Sequence, residues 1–164
     1  MAKFKVDMDT YIGRLTKLTG VTEETVKAAV QAGADILANE MRKNITGIPT
    51  VTRNQAIDDY HARVPSRGLT NAAKQGLLSS FGITPIRNDD GEWNVHVGFD
   101  GYNSIKTKRY PRGQANQMVA RSVEKGSSAV ARHPFVAPAI AAKKQECLKA
   151  MQQVIDDEFN EIMN

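Results

Sequence analysis

A long segment near the C-terminal end of the sequence repeats its apolar residues at the spacing of an α-helix. From Pro138 to Met163 these side chains return every three or four residues, which is the period of one helix face. Pro138 suits the first turn, where its missing amide hydrogen costs nothing. Such a helix is about 39 Å long, at about 1.5 Å for each residue. We therefore expect it to extend beyond its own core or to pack across a sheet and the N-terminal helices.

Two more helices are predicted in the N-terminal part of the chain. Residues 8–19 have a short amphipathic pattern that ends at Gly20. Residues 22–44 form a stronger pattern, with Thr22 as its N-cap. One face of this second helix carries only small side chains around Gly33, so we expect another helix to pack closely against it.

The middle of the chain carries the signal of a β-hairpin. In residues 92–99 large apolar side chains alternate strictly with smaller or polar ones, which is typical of a half-buried strand. Residues 77–88 supply the predicted antiparallel partner, and Gly91 suits the turn between the two strands. Pro85 predicts an edge or a bulge, because proline donates no ladder hydrogen bond.

The remaining segments are predicted to be irregular. Residues 45–76 lose periodicity, residues 100–117 form a long basic loop, and residues 118–125 fit either a short helix or a strand. A chain of 164 residues is the size of one domain. We therefore predict a single α+β domain, in which a small, mainly antiparallel sheet packs against the 22–44 helix and the 138–163 helix.

Positive charge is concentrated in one part of the chain. The net charge is +4, but residues 103–132 hold seven basic residues and one acidic residue, while the rest is close to neutral. A basic loop with nearby tyrosines could contact phosphates and stack bases, or it could bind a protein partner or simply be solvated. Because only 6% of the residues are aromatic, a dedicated reader of nucleic acid is the weaker alternative. The predicted contact residues of the loop are Lys106, Lys108, Arg109 and Arg112, close to Tyr102 and Tyr110.

The sequence shows no arrangement of residues that predicts catalysis or a cofactor. It has no glycine-rich phosphate loop, and its three histidines are scattered without metal-ligand spacing. Asp58, Asp59 and His61 share no face, so we interpret them as part of a solvated loop. Cys147 is the only cysteine, which excludes an intrachain disulfide and fits a small buried side chain. We predict no enzyme activity, no metal and no cofactor.

A membrane partner is not expected either. The sequence contains no apolar run near the roughly 20 residues that a membrane-spanning helix needs. Its first residues, Met1 to Asp7, lack the apolar region of a secretory signal.

Four short motifs follow one another in a familiar order. They are Leu77–Phe81, Val95–Phe99 with Gly98, Val119–Ser128 with Gly126, and Ala131–Ala139 with Pro134, Phe135 and Pro138. With these motifs the chain resembles the tail-component family of long-tailed bacteriophages, the gene-product-ten-like family of lambdoid phages, over roughly residues 22–160. Ser127 stands where the family usually has threonine, and Val136-Ala137 replaces its usual Leu-Arg.

The resemblance implies a structural virion protein rather than an enzyme. Such proteins act in head–tail joining or tail completion at the neck, and they assemble in the host cytoplasm before they enter the virion. The implied partners are further copies of the chain in a ring, with a hexamer expected, the head-connector protein, and the tail-terminator or tail-tube proteins. DNA that passes through the lumen is a further candidate partner, and a small basic nucleic-acid-binding module is the alternative function.

The motif residues also have a physical interpretation. Gly126 is predicted to end an element in a left-handed conformation. Phe135, held between two prolines, is predicted to anchor the last helix. Glu124 is expected to pair with a basic residue of its own chain or of a neighbouring copy. The predicted interface consists of the basic loop 103–117, the Glu124–Ser128 element with Ser127, and the C-terminal end of the last helix. The positive segment could face the acidic segment of a neighbouring copy or a lumen that contains DNA.

Overall fold

Helices form most of the regular structure in residues 22–163, which are the residues that the computed structural model describes. The first helix begins after Thr22, whose hydroxyl accepts a hydrogen bond from the Thr25 amide at 3.2 Å, so the predicted N-cap is confirmed. The helix predicted over residues 8–19 lies outside the described residues. The helices of the described part are α1 (Glu23–Gly47), α2 (Arg53–His61), α3 (Asn71–Ser80), α4 (Asn116–Lys125) and α5 (Val136–Met163).

The described strands are short and form three separate pairs. One pair is parallel and joins β1 (Thr50–Val51) to β2 (Leu69–Thr70). The other two pairs are antiparallel. In them β3 (Phe81–Ile83) pairs with β6 (Val97–Phe99), and β4 (Arg87–Asp89) pairs with β5 (Glu92–Asn94). The predicted α+β class is therefore confirmed, with the strands in small pairs that pack against long helices.

The two long helices lie side by side and run in opposite directions. A Cβ atom added to Gly33 of α1 would lie 2.8 Å from the Met151 sulfur of α5, so the Met151 side chain packs directly against the bare backbone at Gly33. At the other end of the pair, the Asn44 side-chain amide donates a hydrogen bond to the Phe135 carbonyl at 3.2 Å. The predicted close helix contact is thereby confirmed.

The apolar interior is divided into two clusters along this helix pair. The larger cluster includes the N-terminal part of α5 and the β3–β6 pair, where the Phe99 ring meets the Phe135 ring edge-on at 5.7 Å. The smaller cluster joins the opposite ends of the helices and receives Trp93 and Val95 from the hairpin. Its fully buried members are Ala29, Val30, Met151 and Ile155.

The hairpin exists, but its first strand is shorter than predicted. Residues 77–80 belong to α3, so their assignment to a strand is wrong. The Thr70 hydroxyl caps α3 by accepting from the Ala73 amide at 3.3 Å, and Leu77 is fully buried against the larger cluster. The residues before Phe81 therefore owe their apolar pattern to one face of a short helix.

Pro85, which was predicted to mark an edge or a bulge, instead lies in an interruption of the strand. It lies between β3 and β4, where the Thr84 hydroxyl accepts a hydrogen bond from the His96 amide at 2.9 Å. The hairpin turns at Asp90 and Gly91, whose φ angles of 57° and 91° are both positive. These are the signs of a two-residue type I′ turn, which matches the twist of the strands.

The segment predicted as an irregular loop, residues 45–76, contains two helices. α2 is the unexpected one, and the Thr52 hydroxyl caps it by accepting from the Gln55 amide at 3.2 Å. Because α2 buries no residue, it has no apolar period that the sequence could display. The segment that fitted either a helix or a strand forms helix α4, which spans residues 116–125. Helix α5 begins two residues before Pro138.

Candidate functional site

Glu124, at the end of α4, caps the N-terminus of α5. Its carboxylate accepts hydrogen bonds from the amides of Phe135 at 2.7 Å, Val136 at 2.9 Å and Ala137 at 3.2 Å. The first four amides of a helix have no partner inside the helix. Here Glu124 accepts from three of them, and the fourth position is Pro138, which has no amide hydrogen.

This arrangement gives Glu124 a role that differs from the predicted pairing with a basic residue. The carboxylate lies at the positive end of the α5 dipole, where negative charge is stabilising. The donors come from backbone that is next to the fully buried Phe135, 1% exposed. Phe135 is buried, as its predicted role of apolar anchor requires, and Glu124 fixes the helix start beside it.

The turn between α4 and α5 is held by the other residues of the same motif. Gly126 has φ +80° and ψ 158°, so it ends α4 with a positive φ but not in the left-handed helical conformation that was predicted for it. The Ser127 hydroxyl accepts from the amides of Ala129 and Val130, each at 3.2 Å. The His133 ring bonds the Arg67 carbonyl at 2.8 Å, which ties the same junction to the segment before β2.

Two residues of the motifs, a glycine and a proline, have a less direct role. Gly98 of β6 is paired with Gly82, and an added Cβ would meet no atom within 4 Å. Pro134 is exposed beside the buried Phe135. The interface role predicted for Glu124 and Ser127 stays a prediction, since the contacts on both side chains described above are internal to the chain.

The basic loop, residues 100–115, has a fixed base. The Asn103 side-chain oxygen accepts hydrogen bonds from the Ile105 amide at 3.1 Å and the Gln114 amide at 3.0 Å. Asn103 itself is buried, with an exposed fraction of 6%. The Asn103 amide donates to the Gln114 carbonyl at 2.9 Å. These bonds draw the two ends of the loop together, so it is held as a closed loop on the body of the protein.

Two further residues complete this base. Gly113 has φ +90°, and a Cβ there would overlap the Asn103 carbonyl oxygen, so only glycine fits without rearrangement. The buried Asn116 side chain donates to the Asp100 carbonyl at 2.9 Å. Sequence reasoning missed Asn103, Gly113 and Asn116. The signal that was available is an Asn and Gly pair inside a long loop, two residue types that favour tight turns.

The four predicted contact residues all lie on the exposed part of this loop. Lys106, Lys108, Arg109 and Arg112 are exposed, and none of them forms an ion pair with another described residue. The tip is closed by reciprocal backbone hydrogen bonds between Thr107 and Tyr110, both at 3.1 Å. The structure therefore brings the four cations together on an ordered loop, with Arg109 over the Tyr110 ring at 5.7 Å.

A second exposed surface lies on α2 and the residues that follow it. Ile57, Tyr60 and Val64 are 43%, 73% and 53% exposed, respectively. Ile57 and Tyr60 lie three residues apart on one side of α2, which buries no residue of its own, and Val64 follows the helix. Asp58 and His61 are exposed on the same helix, which corrects their assignment to a loop.

The described residues contain no arrangement suited to a metal. Across residues 22–163 no group of three or more His, Cys, Asp or Glu side chains is placed to hold an ion. Cys147 is buried on α5, and burial, with a smaller effect of the Glu146 carboxylate, raises the pKa of its thiol. No helix in this part of the chain is both long enough and apolar enough to span a membrane.

Comparison with known families identifies the class of protein. Residues 9–126 match the family described as "Bacteriophage HK97-gp10, putative tail-component". The chain belongs to this family of phage tail components. Searches of curated proteins and of solved structures gave no match.

The matched region differs from the one that the resemblance indicated. It includes the whole basic loop and residues 9–21, which the short motifs did not cover, and it ends at Gly126. The Pro134–Pro138 junction and α5 follow the matched region. Glu124 is therefore a residue within the family match that caps a helix beyond it.

Proposed function

We propose that this tail component acts in head–tail joining or tail completion at the neck, without enzyme activity, as a ring of identical subunits. The observation that carries the proposal is the basic loop, whose base is fixed by Asn103 and Gly113 and whose four cations are free of described acidic partners. A fixed loop loses little conformational entropy on binding, so it suits recognition of a protein neighbour.

The family supplies the location, since its members are components of the tail. A structural protein of the tail performs its role through surfaces that fit other virion proteins. The basic loop and the apolar face of α2 are two such surfaces, and they differ in chemistry. We assign the loop to charged contacts, and the α2 face to an apolar contact with the head connector or the tail tube.

The test is the phenotype of a phage that lacks this gene. Electron microscopy of the lysate should show filled heads and separate tails, and wild-type protein supplied from a plasmid should restore joined particles. Normal joined particles without the protein would contradict the proposal. Absence of any tail structure would also contradict it, since that phenotype belongs to a tail-tube or initiation protein.

Contact of the same loop with nucleic acid is the second candidate function. Tyr102, which is 64% exposed, lies at the base of the loop beside the four cations. Retardation of duplex DNA by the purified protein separates the two candidates. Binding that falls steeply with salt, as expected when several phosphates are neutralised, would favour the second candidate.

A further inference from the structure

The C-terminal end of α5 carries a concentration of negative charge. Lys149 is the last basic residue of the sequence, and four acidic residues follow it. Phe159, between them, is 43% exposed although it is a large apolar side chain. The acidic residues are Asp156, Asp157, Glu158 and Glu161.

Glu161 lies in the last turn of α5, where the helix itself disfavours negative charge, and the other three acidic residues lie within the two turns before it. The C-terminus of an α-helix carries a partial negative charge, so basic side chains are stabilising there and acidic ones are not. The last turn of α5 contains no basic residue. A cation from outside the helix would therefore relieve repulsion that the local sequence leaves in place.

The basic loop is the complementary case. It leads directly into α4, whose N-terminus adds a partial positive charge to that of the four cations. The first turn of α4 contains no acidic residue. Tyr102, 64% exposed, and Met118, 47% exposed, supply apolar surface beside this positive charge, as Phe159 does at the acidic end.

The two surfaces lie at opposite ends of the molecule. Phe99, which directly precedes the loop residues, contacts Phe135 at the start of α5. From Val136 to Asp156 the helix rises about 30 Å. The acidic end of α5 therefore cannot reach the basic loop of its own chain, but it can meet the loop of another copy.

We propose that the acidic end of α5 in one copy binds the basic loop of the next copy, head to tail. The partner is a second copy of this chain, selected by opposite charge and by the exposed rings on both sides. This inference rests on the proposed function, for which it names the contact between subunits. A head-to-tail contact uses two different surfaces, and it repeats until a ring closes.

The test is a charge swap followed by sedimentation of the purified full chain. Wild-type protein should self-associate at about 50 mM salt and dissociate at about 500 mM, where charges are screened within a few ångströms. One variant reverses the acidic end (Asp156→Lys with Asp157→Lys), and the other reverses the loop (Lys106→Glu with Arg109→Glu). Each variant alone should associate about tenfold more weakly or not at all.

Mixing the two variants gives the decisive result. In the mixture each reversed end meets a loop of opposite charge, so association should return to near the wild-type level. Matched controls carry the same changes of charge at exposed sites elsewhere and should associate like the wild type. The controls are Asp58→Lys with Asp89→Lys, and Arg53→Glu with Arg67→Glu.

A cysteine pair provides a second readout at the same contact. In a chain with Arg109→Cys and Phe159→Cys, oxidation should link copies into a ladder of oligomers, whereas either single change should give at most a dimer. Wild-type protein that is monomeric at low salt would overturn the contact. That conclusion holds whichever other segment covers the acidic end, residues 1–21 or another virion protein. Swapped variants that do not recover on mixing overturn it as well.

The assay contains neither heads nor tails, so the two proposals can fail separately. A monomeric protein that still restores joined particles would refute this contact and leave the function intact. A protein that assembles through these surfaces but is dispensable for joining would refute the proposed function and leave this contact intact.

Discussion

Single side chains fix the two junctions on which the candidate site depends. The Glu124 carboxylate accepts hydrogen bonds from three amides at the start of α5. Pro138, in the first turn of α5, has no amide hydrogen, so no fourth acceptor is needed. Gly113 lets the returning arm of the basic loop pass the Asn103 carbonyl. In both cases the residue acts through backbone groups of a distant segment, so its importance is not visible in its local sequence.

Loss of the Glu124 carboxylate should destabilise the fold. Glu124→Ala leaves three amides at a partly buried helix start without an acceptor, and we expect the free energy of unfolding to fall by about 1–3 kcal/mol. Urea denaturation followed by circular dichroism measures this change. The control is Glu146→Ala, which removes an exposed partner of Lys143 and should cost no more than about 0.5 kcal/mol. Equal effects of the two changes would contradict the capping role.

Substitution of Gly113 should loosen the basic loop. Gly113→Ala combines a positive φ with overlap at Asn103, so protease cleavage between residues 104 and 112 should become faster. Gly91→Ala is the matched control, because Gly91 has nearly the same φ but an added Cβ meets nothing within 4 Å. If both variants resist protease equally, the close approach at Asn103 does not hold the loop.

At the level of elements, periodicity predicted the two long helices and missed the short helices α2 and α3. α1 and α5 bury a continuous face, so their apolar residues recur at helical spacing and both helices are visible in the sequence. Because α2 buries no residue, its sequence shows no apolar residues at helical spacing. Residues 77–80 were assigned to a strand because a short apolar run fits either element when its partner is unknown.

The candidate site was predictable in part for the same reason. The charge of the basic loop is a property of its own residues, so the four cations could be found from the sequence. Its closed base depends on Asn103 meeting Gly113 and Gln114, and the Glu124 cap depends on a contact across eleven or more residues. Such pairings are set by the tertiary fold and leave no local pattern.

The close packing of α1 against α5 can be tested by adding volume at Gly33. Gly33→Leu should force the helices apart and lower the free energy of unfolding by about 1–3 kcal/mol. Met151→Ala in the same chain should recover part of that loss, which a double-mutant cycle in urea reports as a coupling. Ala28→Leu, on the exposed side of α1, is the control and should be nearly neutral. Strict additivity of the two changes would refute the contact.

For the whole molecule, the distribution of charge is more informative than its sum. A net charge of +4 on a small chain suggests a nucleic-acid binder, but residues 103–132 supply all of the excess. The structure places that charge at one end of the long helix pair, and the acidic end of α5, whose last turn has no basic residue, lies at the other. We interpret the result as a nearly neutral body with two complementary poles, a distribution suited to repeated contact with identical neighbours.

The most direct measurement of the central claim is complementation of a gene-deleted phage by a chain with a neutral loop. Lys106, Lys108, Arg109 and Arg112 are all changed to Gln, and the control changes four exposed basic residues outside both proposed surfaces to Gln, namely Lys43, Arg67, Arg87 and Lys144. We predict that the control restores plaques, whereas the loop variant leaves heads and tails unjoined in the lysate. Full plaque titre with the loop variant would contradict the account.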